Sequence, residues 1–72
     1  MSDRAKITEF VSFCIEASAK AKGISGAEAC ARLAFYGAIG YLDRGYGVLH
    51  TMGEGWLVDD LDGFLAARGY GA

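Results

Sequence analysis

Apolar side chains recur at Ile7, Phe10, Val11, Cys14, Ala17 and Ala21. Steps of three and four residues commit the first third of this chain to a helix with one buried face. Glu9, Ser12, Glu16 and Lys20 fall opposite. Phe13 and Ile15 flank the stripe and widen the apolar arc to roughly 200°, at about 100° per residue. One neighbouring helix covers less than that. The first helix is therefore expected to sit centrally or to lend its surplus apolar surface to another molecule.

The stretch KGIS, Lys22 to Ser25, ends that helix and starts the next. Gly23 suits the left-handed position just past a helix, with Ile24 packing back on the last turn. Ser25 and Glu28 have the spacing of a capping box, so a second helix starts here. It presents Ala29, Cys30, Leu33 and Ala34 on its inner side, and Glu28 and Arg32 pair on its surface. The two predicted helices form a hairpin. A short third helix is expected from Ala38 to about Arg44, with Ile39, Leu42 and Tyr46 inward; Gly40 within it costs about 1 kcal/mol relative to alanine.

Beyond Gly47 the pattern changes. Val48 to Thr51 is short, branched and bounded by glycines, which suits a strand. Gly53 and Gly55 suit a turn, and Trp56 to Val58 would return as a second strand. Asp59 or Asp60 would then cap a final helix carrying Leu61, Phe64 and Leu65 inward. The expected fold is mainly α: a helical hairpin, a short third helix, a small β-hairpin and a C-terminal helix. That element order overlaps with a winged-helix module.

With 72 residues the chain makes one small domain, residues 1–72, of modest stability. Yet 53% of its residues are hydrophobic, more than so small a body hides. A protein partner or self-association is therefore expected, with a homodimer as the expected form. The net charge of −2 gives no general attraction to polyanions. From Glu54 to Asp62 there are four acidic residues and no basic one. The N-terminal stretch MSDRAKITEF has charges of both signs and no long apolar run, so neither a signal peptide nor a membrane span is expected there, and the cytoplasm is the expected compartment. Two cysteines, Cys14 and Cys30, fit a reducing environment and lack the spacing of a metal pair.

Few residues could carry chemistry. His50, the single histidine, has Glu54, Asp59 and Asp60 nearby, but a zinc site needs three or four ligands at recognisable spacings. A buried histidine bracing the hairpin is the favoured reading, with a partner contact as its rival. Cys14 or Cys30 with His50 would make a nucleophile and base. Both cysteines, however, fall on apolar helical faces, where a thiol acts as a small hydrophobe. The glycine-rich run Gly45 to Gly55 lacks the Lys-Ser/Thr of a phosphate loop. Asp59, Asp60 and Asp62 lack the spacing of a calcium loop. No catalytic residue, cofactor or metal is expected. Tyr36, Tyr41, Tyr46, Trp56 and Phe64 are divided between core and interface.

FVSFCIEASAKAKGISGAEA, GYLDRGYGVLHTMG and WLVDDLDGFLAARG together cover nearly the whole chain. They resemble a family of small bacterial proteins that form a domain of unknown function, in which Leu-His-Thr, here Leu49-His50-Thr51, is the most recognisable motif. The resemblance implies a gene neighbour with an ADP-ribosyltransferase-like fold, and an antitoxin-like or accessory role. It implies no catalytic residues.

Two functions fit these features. The first is a non-enzymatic protein-interaction module, with Phe13, Ile15, Tyr46 and Trp56 as partner-binding residues. The alternative is a winged-helix DNA-binding regulator. Its recognition helix would offer only Arg44, beside Asp43, and its wing would carry Glu54 and no cation, whereas phosphate contacts normally supply much of DNA affinity. Nucleic acid is thus an unexpected partner.

Overall fold

The computed structural model describes residues 2–70. Five helices succeed one another: α1 (Ser2–Lys22), α2 (Gly26–Phe35), α3 (Ala38–Arg44), α4 (Tyr46–Leu49) and α5 (Glu54–Ala67). The molecule measures 39 × 22 × 21 Å. The 21 residues of α1, at about 1.5 Å each, account for most of the long dimension.

The expected helical hairpin forms as its local signals dictate. Gly23 takes a φ of +70°, and the Ile24 amide donates to the Ala19 carbonyl at 3.0 Å, so the end of α1 is closed by a left-handed turn. The Ser25 hydroxyl accepts from the Glu28 amide at 3.0 Å and caps α2. The reciprocal half of the capping box is replaced: Glu28 instead takes Arg32 at 3.2 Å. Helix α3 spans the residues expected of it. Of its expected inward residues Leu42 is fully buried, and Ile39 and Tyr46 are half-buried against the core.

The β-hairpin expected at Val48–Thr51 and Trp56–Val58 is absent, and no strand occurs among the described residues. Val48 and Leu49 lie in α4, and Trp56 to Val58 lie in the first turns of α5. Two physical facts favour helix here. A lone two-stranded hairpin is marginal in water, and these few residues would have had to form one. Leu57, Leu61 and Leu65, four residues apart and at most 4% exposed, make a continuous buried stripe only as a helix. Asp59 and Asp60, expected as the cap, therefore lie inside α5, which is capped instead by Gly53 in an extended conformation. Glu54 in the first turn suits the partial positive charge there. Without a hairpin there is no wing, so the winged-helix order does not hold.

All five helices feed one core. Phe10 and Cys14 of α1, Leu33 of α2, Ala38 and Leu42 of α3, Leu49 of α4 and the three leucines of α5 pack together. Each fully buried leucine stabilises the fold by about 1.5–3 kcal/mol. Helices α3 and α4 are separated by Gly45 alone, and a Cβ there would stand 2.7 Å from Leu49 Cδ1 and 3.1 Å from the Tyr41 carbonyl oxygen. A side chain there requires Leu49 and the Tyr41 carbonyl to give way. On α2 the structure departs from expectation, because Ala29 and Leu33 are buried while Cys30 and Ala34 face outward.

Two polar links tie distant segments together. Arg4 reaches Asp43 at 2.8 Å, joining α1 to α3. Lys22 reaches Asp62 at 2.8 Å, joining α1 to α5. Both are exposed, so each contributes little. The Tyr41 hydroxyl donates to the Asp60 carboxylate at 2.5 Å, and its ring lies 4.6 Å from that of Phe64. This half-buried brace holds α3 against α5. The hydrogen bond to Asp60, aided by burial, raises the Tyr41 phenol above its ordinary value.

Candidate functional site

Leu49-His50-Thr51 ends α4. Leu49 is buried and anchors the turn in the core. His50 is exposed, contrary to the expected buried brace. Its Nδ1 lies 2.7 Å from the Tyr46 carbonyl oxygen, and its ring stacks on that of Tyr46 at 4.5 Å between centroids. A carbonyl oxygen only accepts, so Nδ1 is the donor in this contact. The Thr51 hydroxyl donates to the Val48 carbonyl at 2.7 Å. The Tyr46 carbonyl also accepts the His50 amide at 3.0 Å and the Val48 carbonyl the Thr51 amide at 3.2 Å, so the two side chains add second bonds to carbonyls already engaged at the end of this four-residue helix. The motif terminates a helix, and its local hydrogen bonds account for both polar side chains.

The remaining chemistry-bearing side chains stand apart from it. Cys14 is completely buried, and burial pushes its thiol up to about 11. No hydrogen bond joins it to His50 among the described residues. Cys30 is exposed, and both thiols are free. Among the described residues no group of three or more His, Cys, Asp or Glu side chains is arranged to hold a metal ion.

The four residues expected to bind a partner are distributed over several faces. Phe13, 46% exposed, lines a shallow groove of about 220 Å³ with Glu16, Ala17, Lys20 and Glu54. Ile15 is half-buried and packs on the core; two positions from Phe13, it leaves α1 on another side. Tyr46 is half-buried, its ring edge-on to Phe10 at 5.5 Å. Trp56 is 47% exposed. It lies two positions after Glu54, so it projects away from the groove that Glu54 and Phe13 share. Phe13 and Trp56 are therefore exposed on separate faces, while Ile15 and Tyr46 are mainly packing residues.

Three further exposed residues lie outside the four expected to bind a partner. Phe35 is 80% exposed, Val48 65% and Tyr70 37%. For Phe35 a signal does exist: it lies roughly 140° around α2 from the Ala29–Leu33 side. The rings of Phe35 and Tyr36 meet edge-on at 4.9 Å, those of Tyr36 and Tyr70 at 5.6 Å, and the Arg32 guanidinium lies 4.8 Å from the Tyr70 ring centre. The end of α2 and the last turn of the described chain thereby form one aromatic ledge. No described helix is long and apolar enough to cross a membrane.

A family described as "Protein of unknown function (DUF3791)" matches residues 9–68, from the middle of α1 through the end of α5, and the chain belongs to it. The expected membership of a domain family of unknown function holds. No curated protein and no solved structure matches the chain.

Proposed function

We propose that this member of the DUF3791 family is a non-enzymatic protein-interaction module, working in the bacterial cytoplasm as an antitoxin-like or accessory partner of a neighbouring gene product. One observation carries the reading. Around a core already closed by leucines, five large apolar side chains stand exposed among the described residues: Phe13, Phe35, Val48, Trp56 and Tyr70. Phe35 and Tyr70 share one aromatic ledge with Tyr36, while Phe13 and Trp56 stand on separate faces, and exposed aromatic side chains are the kind that carry binding energy at interfaces. The surroundings suggest the chemistry of what covers it. Trp56 shares α5 with Glu54, Asp59, Asp60 and Asp62, and that helix carries no basic residue. An apolar partner surface rimmed with Lys or Arg complements it.

The test is recovery of the tagged protein from its native cells at moderate salt. A stoichiometric protein that is lost from Trp56→Ala, and kept by a conservative Trp56→Phe, supports the proposal. Specific DNA in place of protein would overturn it.

A further inference from the structure

Helix α1 turns Phe13, Glu16, Ala17 and Lys20 to one side, at the three- and four-residue spacing of a single helical face. Glu54, the first residue of α5, completes the groove. Its apolar part is the half-exposed Phe13 ring beside buried Ala17. Its polar part is two carboxylates against one ammonium. Among the described residues the ion pairs are Arg4–Asp43, Lys22–Asp62 and Arg32–Glu28, so neither Glu16 nor Glu54 is in one. Glu16 stands four residues before Lys20, the spacing at which such pairs form. Its carboxylate leans instead against the start of α2, with Oε2 3.1 Å from the place a Cβ on Gly26 would take. Two unspent carboxylates thus share a groove with an open aromatic ring.

We propose that this groove receives the side chain of an arginine presented by a different protein, its guanidinium lying on the Phe13 ring and held by Glu16 and Glu54. The proposal rests on the interaction-module reading and adds to it a contact on another face from Trp56. Size narrows the occupant first. At about 220 Å³ the groove falls below the roughly 300–1,000 Å³ of small-molecule sites. It suits one side chain of a docked protein better than a free ligand. Charge comes next: with carboxylates outnumbering the ammonium, the complementary group is a cation. The aromatic ring then favours arginine over lysine. A planar guanidinium stacks on a ring and serves two carboxylates through separate N–H groups, whereas an ammonium is a compact, strongly hydrated point charge.

A second copy of this chain is a poorer source of that arginine. All four arginines of the sequence are engaged at home. Arg4 holds Asp43 at 2.8 Å, and Arg32 holds Glu28 at 3.2 Å. Arg68 lies 3.6 Å from the centre of the Phe64 ring. Arg44 folds back along α3, its Nη1 2.9 Å from the place a Cβ on Gly40 would take. A second copy would have to break one of these contacts to fill the groove, and a different protein need not.

The experiment is a nuclear magnetic resonance titration of the isotope-labelled full chain with the peptide acetyl-Ala-Arg-Ala-amide. Companion peptides carry lysine, or the neutral isostere citrulline, in place of arginine. Saturable shifts centred on Phe13, Glu16, Lys20 and Glu54 are expected with arginine, at a dissociation constant of about 1 mM. Citrulline should bind about tenfold more weakly, with lysine between the two. Glu16→Gln together with Glu54→Gln should weaken the arginine peptide about tenfold. Lys20→Met, which removes the competing ammonium, should tighten it about threefold, a gain that a merely structural groove would not give. No saturation by about 20 mM peptide overturns the proposal, as does citrulline or lysine binding as well as arginine, or shifts centred on Trp56 instead. Self-association that Glu54→Gln abolishes would give the groove to a second copy and overturn it equally. If the peptide fails while a protein is captured through Trp56, the interaction-module reading stands and this proposal alone falls. If the peptide binds without that capture, the groove stands and only the Trp56 surface is struck.

Discussion

The imidazole of His50 lies over the ring of Tyr46, 15° from parallel, and its Nδ1 meets the carbonyl oxygen of that same residue. One residue thus supplies both the stacking surface and the acceptor, one helical turn upstream. His50 works as a clamp on its own short helix. Replacing it by alanine removes one hydrogen bond and one ring contact at the surface, with an expected loss of about 0.5–1.5 kcal/mol, read from urea unfolding. His50→Asn, whose shorter amide can still serve the carbonyl, should recover part of the loss. A loss above about 3 kcal/mol, beyond what one surface hydrogen bond supplies, would contradict the clamp.

Cys14 and Cys30 should behave as two unlike thiols. With native protein, a thiol reagent at mildly alkaline pH should modify Cys30 promptly and Cys14 only after denaturant is added, because Cys14 is fully buried. Modification of both at equal rates would contradict the burial of Cys14.

The same burial gives stability a dependence on pH. The Cys14 thiol has a folded value of about 11 against an ordinary 9.0. Its folded value is raised, so below about pH 9 both folded and unfolded chains hold the proton, and pH has no effect through this group. Between about pH 9 and 11 the unfolded chain releases the proton while the folded one keeps it. Stability therefore falls as pH rises through that window, by about 2–3 kcal/mol in all. Cys14→Ala, itself costing about 1 kcal/mol or more as a cavity, should flatten that part of the curve. An equally steep decline in the variant would assign it to tyrosines and lysines instead.

Gly45→Ala forces a methyl group against Leu49 Cδ1 and the Tyr41 carbonyl. The expected cost is about 1–3 kcal/mol, visible as a lower thermal midpoint. Gly47→Ala, where the added atom meets nothing within 4 Å, is the matched control and should change stability far less.

Leu61→Ala deletes the middle of the α5 stripe, and its loss is expected at about 2–5 kcal/mol. That is comparable to the whole stability of a core this size. Calorimetry should find the variant largely unfolded at physiological temperature, whereas Phe13→Ala and Trp56→Ala, half-exposed, should keep a cooperative transition.

The helical hairpin is legible in the sequence because its signals are local. A glycine, a packing isoleucine and a capping serine in succession leave little choice of geometry. The segment after Gly47 is illegible for the opposite reason. Val48 and Leu49 between glycines satisfy a strand template as well as a helical one, and only the core position of Leu49 decides. Asp59 and Asp60 imitate a cap so well that they mask the register of Leu57 with Leu61 and Leu65. On α2, alanine and cysteine carry no strong preference for inside or outside. Which side of Ala29 faces inward is set by α1 and α3, and no local spacing reports it. At the surface, residue type alone singles out Trp56 and Phe13, but their separation onto different faces is a matter of how α5 docks.

Helix α4 has its principal contact with α3, whereas α1 touches α2, α3 and α5. The two helices therefore sit at opposite ends of a hierarchy of opening. The amides of α4 can meet solvent when Leu49 and Tyr46 leave their places, so their hydrogen exchange should be rapid. Those in the middle of α1 cannot be exposed without parting three helices at once, and their exchange should match the global unfolding free energy. The segment bearing the Leu-His-Thr motif is the part of this molecule that can change shape while the rest stays folded.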